Sequence, residues 1–185
     1  FQYCWEPVKY SYLVKLRDGK NTQDLPDLTI EENAHKWIME NPEAFCNTTD
    51  KNSLSQVLNN YDQETVDFYR WIQEYDRDEL SSLIERRSGI AIGRLNSLEA
   101  LERGDSGRIY RLKVSGSGRT LVVGKELEIR RILSESHLKS SAFDIEYLSA
   151  EGVRVKAEDE WSTVRLLGSG WGHGVGLCQI GAAVM

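Results

Sequence analysis

The sequence holds only three cysteines, Cys4, Cys46 and Cys178, and their spacing excludes the familiar zinc signatures. No two form a C-x-x-C pair, and no histidine stands near them at ligand spacing, so no metal is expected. Long apolar runs are missing too. Nothing approaches the roughly eighteen apolar residues of a membrane span, so no span is expected. No secretory leader, internal repeat or low-complexity tract is visible. Basic residues are in deficit, with 23 Lys and Arg against 29 Asp and Glu and a formal charge of -6, which argues against nucleic acid as a main partner. Phe1-Gln-Tyr-Cys-Trp5 reads as the middle of a structured region, and the chain is expected to be part of a longer protein.

What is abundant is glycine near the end of the chain. Glycines fall at every second position from Gly168 to Gly176, with Trp171 and His173 interleaved. Such density calls for positive φ angles or for close approach by another group. Leu177, Ile180, Gly181 and Val184 then carry the spacing of a helix. Nucleotide loops do not fit. A G-x-G-x-x-G fingerprint would put its third glycine on His173 or on Leu177, and no lysine follows Gly168 to complete a P-loop.

Elsewhere the chain alternates between short strand and helix signals. Val8, Tyr10, Tyr12 and Val14 suggest an extended segment, followed by a turn at Asp18-Gly19. Thr29-x-x-Glu32 predicts a capped helix over about 31–40, with Ala34, Trp37 and Ile38 inward and Asn41-Pro42 as its stop. His35 is expected as a solvated surface residue. Residues 42–60 look polar and turn-rich. The stretch 67–75 favours a strand over a helix. Asp76-x-x-Glu79 predicts a helix ending near Gly89. Beyond it the pattern is of short strands: one or two over 90–101, a turn at Gly104–Gly107, a strand through Tyr110, Leu112 and Val114, and a hairpin onto 120–123. A helix over 126–133 is predicted with Leu127, Ile129, Ile132 and Leu133 inward. Further strands follow at 143–147, 153–155 and 161–167. The fold class is therefore α+β, a mainly antiparallel β-sheet with short helices at its edges. Residues 1–60 form a looser segment and 61–185 the core.

The run Gly168-x-Gly-x-Gly-His-Gly-Val-Gly-Leu-x-Gln-x-Gly-Ala182 resembles the C-terminal signature of the stage II sporulation protein D (SpoIID/LytB) family. Ser106-Gly-Arg108 and Lys125–Arg130 agree in order and spacing. The resemblance covers roughly residues 70 to 185, with a looser one before. It implies action on bacterial peptidoglycan, as a lytic transglycosylase on peptide-stripped glycan strands or as a non-enzymatic enhancer of amidases. It implies an exported protein of the cell envelope, with glycan strands and other cell-wall hydrolases as partners and no cofactor. The family's catalytic glutamate lies upstream of the stretch that Phe1–Trp5 resembles, so no catalytic residue is expected in this chain. In a bacterial family, the Asn47-Thr-Thr sequon reads as chance.

Lytic cleavage needs a carboxyl group that is neutral when it protonates the glycosidic oxygen. Glu102, Glu126 and Glu128 are expected instead as solvated or ion-paired surface groups. Substrate-side candidates are His173 with Gly172 and Gly174, Gln179, Ser106, Arg108 and Trp171. His173 would bond sugar hydroxyls or hold the loop, and Gln179, one turn into the last helix, would orient a sugar amide or cap a strand. Arg108 is expected in a structural salt bridge more than on a lactyl carboxylate, and Trp171 as a packed aromatic more than a sugar platform. Cys178 is expected as a buried thiol. Cys4 and Cys46 are a possible pair if the protein is exported.

Overall fold

Asp76 closes a strand and opens a helix in one step. Its carboxylate accepts the backbone N–H groups of Asp78 (2.8 Å) and Glu79 (3.2 Å), satisfying two of the donors a helix start leaves free. The helix ends where Gly89, at φ 72°, supplies the left-handed residue that turns the chain away. These are local devices, and both were legible in the sequence.

The computed structural model describes residues 10–12, 16–20, 26–57, 67–176 and 178–185. In chain order these form α1 (Glu31–Met39), α2 (Lys51–Val57), β1 (Arg70–Asp76), α3 (Arg77–Ser88), β2 (Leu95–Arg103), β3 (Ile109–Gly116) and β4 (Thr120–Gly124). After them come α4 (Glu126–Ile132), β5 (Phe143–Leu148), β6 (Arg154–Val155), β7 (Thr163–Ser169) and α5 (Gln179–Val184). The extended segment expected around Val8 and Val14 falls largely outside the described residues.

All strand pairing among the described residues is antiparallel, but it makes two sheets instead of one. β2-β3-β4 is a meander of local hairpins, and the four-stranded sheet runs β1-β7-β5-β6. The class is α+β, mostly sheet, with short helices. The sheets share one core with α3 and α4. Leu95, Ile109 and Leu112 come from the small sheet, Phe143 and Leu166 from the large one, and Leu80, Ile84 and Ile129 from the helices. Trp161, in the approach to β7, is buried among them, and the guanidinium carbon of Arg77 lies 4.2 Å from its ring centroid.

Two polar bolts cross between the sheets. The Tyr147 hydroxyl donates to the carbonyl of Leu98 (3.0 Å) and accepts its N–H (2.8 Å), and burial pushes the phenol up to about 12. Arg103 is the second. Its side chain is 1% exposed, with Nε and Nη2 each 2.6 Å from a Glu31 carboxylate oxygen. It also donates to the carbonyls of Gly107 and Phe143, both at 2.9 Å.

Several expectations need correction. The α1 cap is not a Thr29 box: Ile30 occupies the cap position, and Thr29 instead bonds Asp27. His35 is held by Asp144, with Nδ1 2.8 Å from Oδ2, because α1 lies across the large sheet. The stretch 42–60 contains α2, started by Asp50, whose carboxylate accepts the N–H groups of Asn52 and Ser53. Leu127 faces solvent, while Glu126 is buried beside Arg130 at 3.4 Å. The helix was placed correctly and Ile129, Ile132 and Leu133 point inward as expected, so the difference is confined to Glu126 and Leu127. Glu102 and Glu128 are indeed ion-paired near the surface, with Arg111 and Arg131.

Candidate functional site

The glycine-rich loop is shaped by two side chains that need the space a Cβ would fill. The first is Trp71. In the β1–β7 ladder Trp71 faces Gly168, and a Cβ at Gly168 would stand 2.0 Å from its ring. Trp71 Nε1 then donates to the carbonyl of Gly170 at 3.0 Å. The second is Arg108, delivered by the Gly104–Gly107 turn that precedes β3. Its Nε donates to the carbonyl of Gly172 at 2.9 Å, and a Cβ on Gly174 would stand 2.2 Å from Nη1. Gly174 has φ +69°, so both conformation and space require glycine there. Backbone bonds from Gly170 N–H to Tyr69 (3.0 Å) and from Gly172 N–H to Lys139 (2.7 Å) fix the loop's other side.

This frame presents Trp171 outward. The ring is 41% exposed, in contrast to the packed aromatic expected, and it stacks on Phe68 with centroids 5.0 Å apart and 24° between planes. The pairing follows from register. Arg70 faces Ser169 at the end of the ladder, and continuing the antiparallel count sets Phe68 opposite Trp171. Phe68 itself is buried, so its ring acts as the floor of the exposed indole. Asp67, next to Phe68 in the chain, is bridged to Lys139, and His173, two residues beyond Trp171 in the chain, is exposed. His173 Nδ1 accepts the N–H of Val175 at 3.0 Å, which places the proton of the neutral ring on Nε2.

Among the sequence candidates, then, the structure brings together Arg108, Trp171, Gly172, His173 and Gly174. Ser106 is half-buried in the turn ahead of Arg108, and Gln179 is exposed at the first residue of α5, not one turn in. Neither side chain is hydrogen-bonded to the loop among the described residues. The Arg108 guanidinium has a loop carbonyl as one of its partners, which ties it to the loop. Phe68 was missed as a functional residue, since its only signal was position in an aromatic strand-like stretch.

A second grouping escaped sequence spacing altogether. Asp18, Cys46 and Cys178 each point one ligand-type atom to a common place, all within 4.8 Å of one another. Cys178 is exposed at the cap of α5, not buried within the helix, and its Sγ accepts the N–H of Gly181 at 3.3 Å. Cys46 faces Cys178, and the partner proposed for it, Cys4, lies outside the described residues. The hydrogen bond between the two thiols drives them apart in acidity. As acceptor Cys178 is brought down to about 7, while donation, burial and the Asp18 carboxylate push Cys46 upward. In a chelator-treated sample at pH 7, iodoacetamide should therefore modify Cys178 well before Cys46, with a Cys178 rate that climbs as pH rises through about 7. Peptide mapping by mass spectrometry checks this, and equal rates for the two would contradict the assignment.

The fold and loop thus define a small α+β domain with an exposed aromatic shelf on a backbone-built loop. The chain belongs to the family described as a domain of unknown function (DUF8618), whose model matches residues 1–176. No curated protein matches it. Among the described residues no helix is long and apolar enough to cross a membrane.

Proposed function

We propose that this chain is the glycan-binding half of a bacterial peptidoglycan-remodelling protein, related to the SpoIID/LytB family and exported to the cell envelope. The observation that carries the reading is the exposed Trp171 stacked on Phe68. A sugar ring offers apolar C–H faces, which suit an indole face. The resemblance of Gly168–Ala182 to the family's signature supplies the substrate class, glycan strands stripped of their peptides. The reaction would be lytic transglycosylation, in which the muramic 6-hydroxyl attacks and leaves a 1,6-anhydro end. The general acid would come from residues upstream of Phe1. The alternative is a non-enzymatic enhancer of amidases. The same resemblance admits it, and it needs no general acid.

Trp171→Ala should weaken binding of peptide-free glycan strands about tenfold, the loss of one aromatic stacking surface. Thermal stability should change little, because the side chain is partly outside the core. Calorimetric titration with purified strands reads this, and unchanged affinity would remove the shelf from the binding site. Product analysis then divides the two readings. Anhydro-muramic ends formed only by a version extended upstream support the transglycosylase, and strand binding with no product from either version supports the enhancer.

A further inference from the structure

We propose that Asp18, Cys46 and Cys178 form a binding site for a borderline-soft divalent cation, zinc above all. The proposal is independent of the glycan reading. Three segments distant in sequence converge here: the bend at 18–20, the turn holding Cys46, and the cap of α5. Two thiolates and a carboxylate are a donor set that zinc takes up at about 2.3 Å from sulfur and about 2.0–2.2 Å from oxygen. Tetrahedral geometry at those lengths separates ligand atoms by about 3.3–3.8 Å. The observed spread, within 4.8 Å, needs only small side-chain adjustments to reach it.

The surroundings are arranged for such an ion. Asp18 is anchored at its own backbone, where its carbonyl accepts the N–H of Phe45 at 3.1 Å, and at Oδ2, which accepts the N–H of Cys46 at 3.0 Å. These bonds orient the carboxylate as outer-sphere partners orient metal ligands. The N–H of Gly181 directed at Cys178 Sγ gives that thiolate the same kind of support. Gly181 must lack a side chain for this approach, because a Cβ would stand 2.4 Å from Asp18 Oδ1. Deprotonated, the three donors would repel one another, and a cation removes that repulsion. A cleft of about 140 Å³, lined by Leu16, Arg17, Trp37 and Tyr69 together with Asp18 and Cys46, opens beside the donors and leaves room for a water as fourth ligand. Bound there, the ion would tie α5 to the 16–46 region and hold the far end of the loop that presents Trp171.

The test uses the full chain, reduced, stripped with chelator and titrated with cobalt(II) as the spectroscopic probe. One equivalent should produce a sulfur-to-cobalt charge-transfer band and the strong visible bands of a tetrahedral site, and added zinc should displace both. Cys178→Ser keeps an oxygen acceptor at the cap of α5, so the helix start is preserved. It should lose much of the charge-transfer intensity while circular dichroism stays unchanged. Asp18→Asn should bind zinc about tenfold or more weakly. Absence of the band in the reduced wild type overturns the site. So does its persistence in Cys46→Ser/Cys178→Ser, where Cys4 is the last thiol left. A protein that gains two titratable thiols on reduction, and binds no cobalt once reduced, carries a disulfide there instead and also overturns it.

Discussion

Replacing Arg103 by methionine should lower the unfolding free energy by about 3–5 kcal/mol, the usual cost of breaking a buried charged network by removing one member. The side chain is 1% exposed and serves three elements at once: Glu31 on α1, the Gly107 carbonyl in the turn, and the Phe143 carbonyl on β5. Methionine fills most of the volume but leaves two inward-facing carbonyls without these donors, and that dominates the loss. Glu31→Gln should cost only about 1 kcal/mol. Glu31 is 53% exposed, so water takes over much of what the ion pair gave, and the guanidinium keeps its two carbonyls. Urea unfolding of the two variants measures the asymmetry. Equal losses would mean that the ion pair itself, not the carbonyl bonds, holds the sheets together. Because the same arginine braces the turn that delivers Arg108, the methionine variant should also loosen the glycine loop.

Gly168→Ala should also be strongly damaging, destabilising by about 3 kcal/mol. The added methyl meets the Trp71 ring at 2.0 Å, and Trp71 is 3% exposed within the core. Neither the strand backbone nor the indole can move without breaking the β1–β7 ladder or the Trp71–Gly170 bond, so overpacking is not relieved cheaply. Near-UV circular dichroism should report a changed tryptophan environment alongside the lower melting temperature. Glycan affinity should fall with it, since the loop leaves the sheet at that residue. A variant as stable as the parent would show that the strand end has freedom the packing does not suggest. Gly172→Ala is the useful contrast. No atom lies within 4 Å of its missing Cβ, so its cost comes only from the positive φ of 82°.

The sequence by itself determined the elements whose causes are local. The Asp76 cap and Gly89 terminus of α3, the alternation of Leu112 and Val114 with their charged neighbours in β3, and the turn at Gly104–Gly107 each follow from a few adjacent residues. The α+β class follows from their sum. The glycine loop was visible as a motif, and so was the group of residues around His173. What the sequence could not convey was who occupies the space those glycines leave. That depends on β7 pairing with β1 across most of the chain, which sets Trp71 against Gly168 and Phe68 under Trp171, and on Arg108 arriving from another sheet. The same limit explains Glu126 and Leu127, since which of two adjacent residues in the first turn of a short helix is covered depends on what packs against it. It explains the thiols as well. Spacing rules see cysteines that are neighbours in sequence, whereas Cys46 and Cys178 become neighbours only because α5 folds back onto the 16–46 region, with Gly181 allowing Asp18 to close the group.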